Sequence, residues 1–335
     1  MKNVTIKDVA RAAGVSYSTV SRALSGSPEI SADTRERILR LCKEMNYTTN
    51  TIARAMVVHS TKLLALILTD ISNPFMSELA YYIDQQARSR GYNIILCNSS
   101  RSTELEREQF ELMIGRKVDG VILVPSESSS YESLKPLLGR MPTVFLGENL
   151  REAPESYVSV DNHRGAFMGV EYLYALGHRK ILYFGKRRGS ITHQLRDEGY
   201  IDACKAYGLT PRYLNNSFTS TSIKYGYQLA KQLFAQPIDY TAIFAATDTN
   251  ALGILQAAEE AGIRIPETLS LLGFDNIRDS GLPRINLTTI EQPKKLLASM
   301  AVDSLLDKIQ NEMTGYTHRV LTPALIERKS CRRIV

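Results

Sequence analysis

The chain has 335 residues, 44% hydrophobic and 23% charged, with a net charge of +6. That is ordinary for a globular protein of about two domains. No run approaches the ~18 apolar residues of a membrane span, so no membrane partner is expected.

The opening "MKNVTIKDVARAAG" is charged and has no apolar signal core, so a cytoplasmic protein is expected. Charge is unevenly spread. The first 62 residues hold ten Lys/Arg against five Asp/Glu, and the remainder 31 against 30. A basic head on a nearly neutral body suits a polyanion partner, or it is only a solvated basic face.

In the head, Ile6, Val9, Ala10 and Ala13 share one helical stripe. Gly14 breaks the pattern, and Ser16 can cap a second helix running to about Leu24. "SGSP" reads as a turn. "SADTRERILRLCKEMNY" reads as a third helix, capped by Ser31, with Ile38, Leu41, Cys42 and Met45 inward. Helix, glycine turn, helix is the helix-turn-helix plan. On the second helix, Tyr17, Ser18, Ser21 and Arg22 share the outer face. Arg22 can fork onto guanine, while Tyr17 and Ser18 can reach base edges. The hydroxyls of Thr5, Ser16, Thr19, Ser21 and Ser31 suit phosphate oxygens. A solvated face in a small helical subdomain would show the same spacing.

After Lys62 the pattern alternates. Apolar strands are predicted at 63–69, 93–97, 120–124, 143–146, 180–184, 241–246 and 269–274, with amphipathic helices at 75–90, 103–116, 162–176, 196–207, 222–235 and 248–261. Such alternation implies parallel βαβ units. Strands fall on both sides of "SVDNHRG", which implies two doubly wound lobes with a cleft between them. Ligands of such sheets sit at the carboxyl ends of strands.

The four cysteines have no metal-ligand spacing, and the five histidines form no recognisable triad or metal set. No GxxxxGK[ST] or GxGxxG is present. No metal or cofactor is expected.

"TIKDVARAAGVSYSTVSRALSG", "TRERI" and "NTIARAM", followed in the body by "KVDGVIL", "VSVDN", "LGHRKI", "GILQAAEEAGIRIPETLSLLGFDN" and "LTTIEQP", resemble the lactose-repressor/galactose-repressor (LacI/GalR) family of bacterial transcription regulators. The resemblance covers nearly the whole chain. It implies an α/β protein: an N-terminal all-α helix-turn-helix headpiece plus a periplasmic-binding-protein-like body of two doubly wound Rossmann-like lobes. The expected divisions are 1–47 for the DNA-binding domain and 48–61 for a hinge helix and linker. Residues 62–160 with 292–322 would make the N-terminal lobe, and 161–291 with 323–335 the C-terminal lobe.

The resemblance also implies that Asn50, Ala53 and Met56 act in the hinge. Met56 stands where a leucine commonly wedges the minor groove. For the effector cleft it implies Asp70, Phe75, Met76, Asp161, Ser190, Thr192, Arg196, Thr247, Asp248 and Asp275, with Asn73 beside them. The residues support that chemistry themselves. Carboxylates accept from vicinal hydroxyls, Arg196 donates two bonds, and Phe75 offers an apolar face to a ring. Asp161 and Asp248 could instead cap the helices that follow them.

The expected partners are operator DNA, a small-molecule effector (a sugar or sugar derivative) and a second copy of the chain in a homodimer. The expected site of action is the cytoplasm, on the nucleoid. Two other functions fit the same sequence: a regulator needing a protein co-repressor, and a sugar-binding or sugar-modifying enzyme with a vestigial head.

Overall fold

A computed structural model describes residues 4–24, 27–47, 60–127, 129–147, 155–185, 189–214, 221–310 and 315–334. The chain divides into two compact units, Met1–Thr61 and Lys62–Val335.

The first unit contains α1 (Ile6–Ala13), α2 (Tyr17–Leu24) and α3 (Ala32–Glu44). Each helix is started by a hydroxyl residue. Thr5 and Asp8 form a capping box, the Thr5 N–H donating to Asp8 Oδ2 at 3.0 Å. Ser16 Oγ accepts the Thr19 N–H at 3.1 Å, and Ser31 Oγ accepts that of Thr34. Gly14, at φ 62°, takes the left-handed conformation that closes α1. Val9, Ala10, Ala13, Val20, Ala23, Ile38 and Cys42 form the shared core.

The second unit holds two six-stranded sheets. In chain order its elements begin with β1 (Leu63–Leu68), α4 (Pro74–Ser89), β2 (Asn93–Asn98), α5 (Thr103–Gly115), β3 (Gly120–Leu123), α6 (Ser130–Leu138), β4 (Thr143–Leu146) and β5 (Ser156–Val160). There follow α7 (Asn162–Ala175), β6 (Ile181–Phe184), α8 (Ile191–Ala206), β7 (Arg212–Tyr213), α9 (Ile223–Phe234), β8 (Ala242–Ala245), α10 (Asp248–Glu260) and β9 (Ser270–Asp275). A short 3-10 helix (Arg278–Gly281) precedes β10 (Thr288–Glu291), α11 (Lys294–Ile309), β11 (His318–Leu321) and β12 (Ala324–Ile326).

The strand orders are β11-β5-β4-β3-β1-β2 and β12-β10-β9-β8-β6-β7. All neighbours are parallel except β10 and β12. Helices cover both faces, so central strands are buried throughout; Leu64 to Leu68 of β1 are fully buried. The chain passes between the sheets three times: after β5, after β10 and between β11 and β12.

Close packing beneath the cleft calls for small residues, Gly165 among them. A Cβ on Gly165 of α7 would lie 2.8 Å from the Phe274 ring, and Phe274 lies under a cleft arginine. The structure adds elements that periodicity did not predict: α6, α11, β5, β7 and β10 to β12. It also starts α8 at Ile191, five residues before the predicted 196, because Ser190 caps it there by accepting the His193 N–H.

Candidate functional site

In the first unit the outer face of α2 carries Tyr17, 64% exposed, with Ser18, Ser21 and Arg22 also exposed. Arg22 Nη1 lies 3.2 Å from Glu29 Oε2 in a solvent-exposed ion pair, a contact of little energy that a stronger anion can replace. The hydroxyls are already in local use. Thr5 donates to Asp8 at 2.7 Å, Ser31 to Thr34 at 2.9 Å, and Ser16 shares bonds with Ser18 and Thr19. Their first role is to fix the helix starts. Asn50, Ala53 and Met56 lie outside the described residues.

In the second unit a cavity lies between the two sheets' carboxyl ends. Seven of the ten sequence-predicted effector residues line it: Phe75, Met76, Ser190, Thr192, Arg196, Thr247 and Asp275, with Asn73 alongside. Phe75 is aimed by Asn73, whose side chain caps α4 by accepting the Phe75 N–H at 2.9 Å. Thr247 caps α10, accepting the Asn250 N–H at 3.2 Å.

Arg196 and Asp275 form the floor. Arg196 is 3% exposed. It donates to Asn162 Oδ1 at 2.8 Å, the Ala246 carbonyl at 2.6 Å and Asp275 Oδ1 at 3.2 Å. Its guanidinium carbon lies 3.7 Å from the centroid of the Phe274 ring. Gln292 Nε2 donates to the same Asp275 oxygen at 2.7 Å. Burial pushes the Asp275 carboxyl above its ordinary range, with Arg196 the largest opposing influence. The pair is a fixed donor and acceptor side by side, which is what adjacent hydroxyls on a ring require.

Three predicted residues are corrected. Asp161 is exposed and caps α7, accepting the Arg164 N–H at 2.8 Å; the capping alternative is the one realised. Asp248 is fully buried. It neither lines the cavity nor caps its helix. Instead its carboxylate accepts from Thr289 Oγ1 at 2.6 Å, Ser280 Oγ at 2.6 Å and the Ile277 N–H at 3.0 Å. It therefore fastens the turn after β9. Burial and the neighbouring Asp275 charge push Asp248 up to about 7. Asp70 holds a turn, accepting from the Ser72 N–H and hydroxyl, and pairs with Arg101 at 3.2 Å.

Arg101 itself lines the cavity and was missed, as were Ser126, Thr221 and Gln292. For Arg101, Ser126 and Gln292 a position just past a strand end is the signal that could have found them, whereas Thr221 lies just before α9. Arg101 Nη2 donates to Thr221 Oγ1 at 3.0 Å, and Thr192 Oγ1 donates to the Gly147 carbonyl at 3.1 Å. Both bonds join one lobe to the other across the cavity. Among the described residues no group of three His, Cys, Asp or Glu is placed to hold a metal, and no helix is long and apolar enough to cross a membrane.

A helix-turn-helix unit and a two-lobed binding unit with a polar cleft define the class of ligand-responsive DNA-binding transcription regulators. Residues 5–50 match the family described as bacterial regulatory proteins, lacI family, and residues 170–331 a periplasmic binding protein-like domain. The HTH-type transcriptional repressor PurR of Pasteurella multocida (strain Pm70) is 30% identical over 332 residues, covering 98% of each chain.

A crystal structure of the lac repressor dimer bound to operator and the anti-inducer ONPF matches with TM-score 0.87 and 27% identity, over 99% of this chain and all of that one. A lacI-family regulator from Enterococcus faecium with bound ribose matches with TM-score 0.71 and 27% identity, over 82% of this chain and all of that one. The chain belongs to the lacI family of bacterial regulatory proteins, and these relatives are transcriptional regulators rather than enzymes.

Proposed function

We propose that the chain is a homodimeric repressor whose grip on a near-palindromic operator is set by a sugar or sugar derivative held between the lobes. The observation that carries the effector class is the buried Arg196–Asp275 pair at the cavity floor, ringed by Ser190, Thr192 and Thr247. The charges there are matched, Arg196 by Asp275 and Arg101 by Asp70, which favours a neutral or mildly acidic polyol. The ribose-bound relative supports the same class.

In the head, Tyr17, Ser18, Ser21 and Arg22 read base edges, and Thr5, Ser16, Thr19 and Ser31 contact phosphates. Asn50, Ala53 and Met56 act in the hinge. The divisions at 47, 61, 160, 291 and 322 are part of this reading, and the membership of the strands in the two sheets supports those at 160, 291 and 322. The dimer face uses α4 and residues 278–285, a reading supported by the exposure of Tyr81 and Leu282. Two-fold symmetry of the pair requires a matching inverted repeat in the DNA. The protein works in the cytoplasm, on nucleoid DNA.

The switch is a shift between open and closed lobes. A ligand bridging them favours one angle, and couplings of this kind are typically about 1–3 kcal/mol. A thermal-shift screen of pentoses, hexoses and disaccharides beside their phosphate esters tests the effector class. A neutral sugar should raise the melting temperature of the wild type and not that of Asp275→Asn. Stabilisation by phosphate esters alone, or equal stabilisation of the variant, would refute it. DNase footprinting on inverted-repeat fragments tests the operator half of the proposal; a uniform footprint on random DNA would refute that half.

A further inference from the structure

Lys294 opens α11 and is only 7% exposed, an uncommon place for an ammonium group. Its Nζ donates to two successive backbone carbonyls, Asp275 at 3.1 Å and Asn276 at 2.6 Å. It lies 3.4 Å from Glu78 Oε2 and 5.8 Å from the centroid of the Phe75 ring. The other Glu78 oxygen accepts the Arg278 N–H at 2.7 Å.

These contacts cross between lobes. Glu78 and Phe75 belong to α4, and α11 packs beside α4 on the first sheet through Leu297 and Ala298. Residues 275–278 leave the end of β9 in the second sheet. The turn that is gripped is strained: Asp275 has φ 117° and Asn276 φ 50°, both left-handed without glycine. Such conformations persist only where the surroundings impose them. The second lobe holds the Asn276 side chain, through Arg328 at 2.8 Å and Glu291 at 3.0 Å. Among the described residues, Lys294 is the side chain that joins both carbonyls of the turn to the opposite lobe.

We propose that Lys294, paired with Glu78, is a positioning residue for the effector site: it clamps the left-handed Asp275–Asn276 turn and ties it to α4 across the lobe boundary. The angle of the Asp275 carboxylate and the angle between the lobes are then mechanically linked, since neither can change without stretching the Nζ bonds. The inference rests on the reading of Asp275 as an effector contact only for its final link. The clamp itself is tested without any ligand, so its failure and that of the sugar reading are distinguishable.

The test is hydrogen exchange on the ligand-free full chain, followed in peptides spanning 275–281, 74–82 and, as a reference, 242–245. Lys294→Met keeps length and removes the ammonium. Exchange should accelerate at least tenfold in 275–281 and threefold in 74–82, with the reference within twofold of wild type. Lys294→Arg, which restores a cationic donor, should return 275–281 to within threefold. Glu78→Gln should accelerate 275–281 by threefold or more. The proposal is overturned if Lys294→Met leaves 275–281 within twofold, if the reference accelerates equally, or if the arginine variant exchanges as fast as the methionine one. Should Lys294→Met fail to fold, Glu78→Gln decides: acceleration confined to 275–281 and 74–82 supports the clamp, and unchanged exchange overturns it.

Discussion

The buried Asp248 should make the body less stable as pH rises from about 4 to about 7. In the unfolded chain its carboxyl titrates near 3.8, and in the fold burial and Asp275 hold it up to about 7. Between those values the folded protein keeps a proton that the unfolded chain has lost. Stability from this group is therefore full below about 4, falls with increasing pH, and levels off above about 7. A separation of about 3 pH units at 1.36 kcal/mol each sets the fall on the order of 4 kcal/mol.

The three donors to the carboxylate, Thr289, Ser280 and the Ile277 N–H, favour its ionised form and already temper the shift. Asp248→Asn cannot ionise, so it removes the slope. The assay is urea unfolding of wild type and variant at pH 4.5, 5.5, 6.5 and 7.5, followed by tyrosine fluorescence. The wild-type advantage over the variant should shrink steadily across that series. A difference constant to within about 1 kcal/mol would show that Asp248 is ionised throughout in the fold, and would refute the reasoning.

Arg22→Ala should cut the preference for an inverted-repeat duplex over random DNA by roughly 10–100-fold, the value of a bidentate base contact of about 1–3 kcal/mol. Fluorescence anisotropy on the two duplexes measures the ratio, and an equal loss on both would assign Arg22 to phosphate instead. The same substitution should leave the melting temperature of the head nearly unchanged, because its pair with Glu29 is exposed. Gly165→Ala should destabilise the body by about 1–3 kcal/mol, since the added methyl meets the Phe274 ring at 2.8 Å; unchanged urea midpoints would contradict that packing. Asp275→Asn should weaken calorimetric binding of whichever sugar stabilises the wild type by at least tenfold while circular dichroism stays native, and unaltered binding would remove Asp275 from the site.

Long apolar runs such as LLALIL and AIFA were legible because a strand buried on both faces needs nothing else. Strands β10, β11 and β12 were not, since TTIE, HRVL and ALI are short and two of them are polar. Helix α11 begins KK straight after a proline, and nothing in that start signals a buried lysine.

In the cleft, the family resemblance pointed to Phe75 and Thr247, and the rule that ligands meet the ends of strands supported Asp275 beside them. The strand-end rule erred on Asp248 because a carboxylate at the first residue of a helix reads the same whether it faces the cavity or turns beneath the next loop. Direction was decided by Ser280 and Thr289, 32 and 41 residues away. Arg101 was missed because SSRS reads as an ordinary turn. Left-handed φ at both Ser100 and Arg101 is what swings that side chain to the cavity.

The three passages of the chain between the sheets have a consequence for how such a protein can be taken apart. The helical head is one uninterrupted stretch and can be exchanged as a cassette. Neither lobe can. A fragment ending at residue 160 would lack both α11, which covers one face of its sheet, and the edge strand β11. Recombination can therefore give this body a new reading head with a single join, while a new ligand preference has to arise by substitution in place.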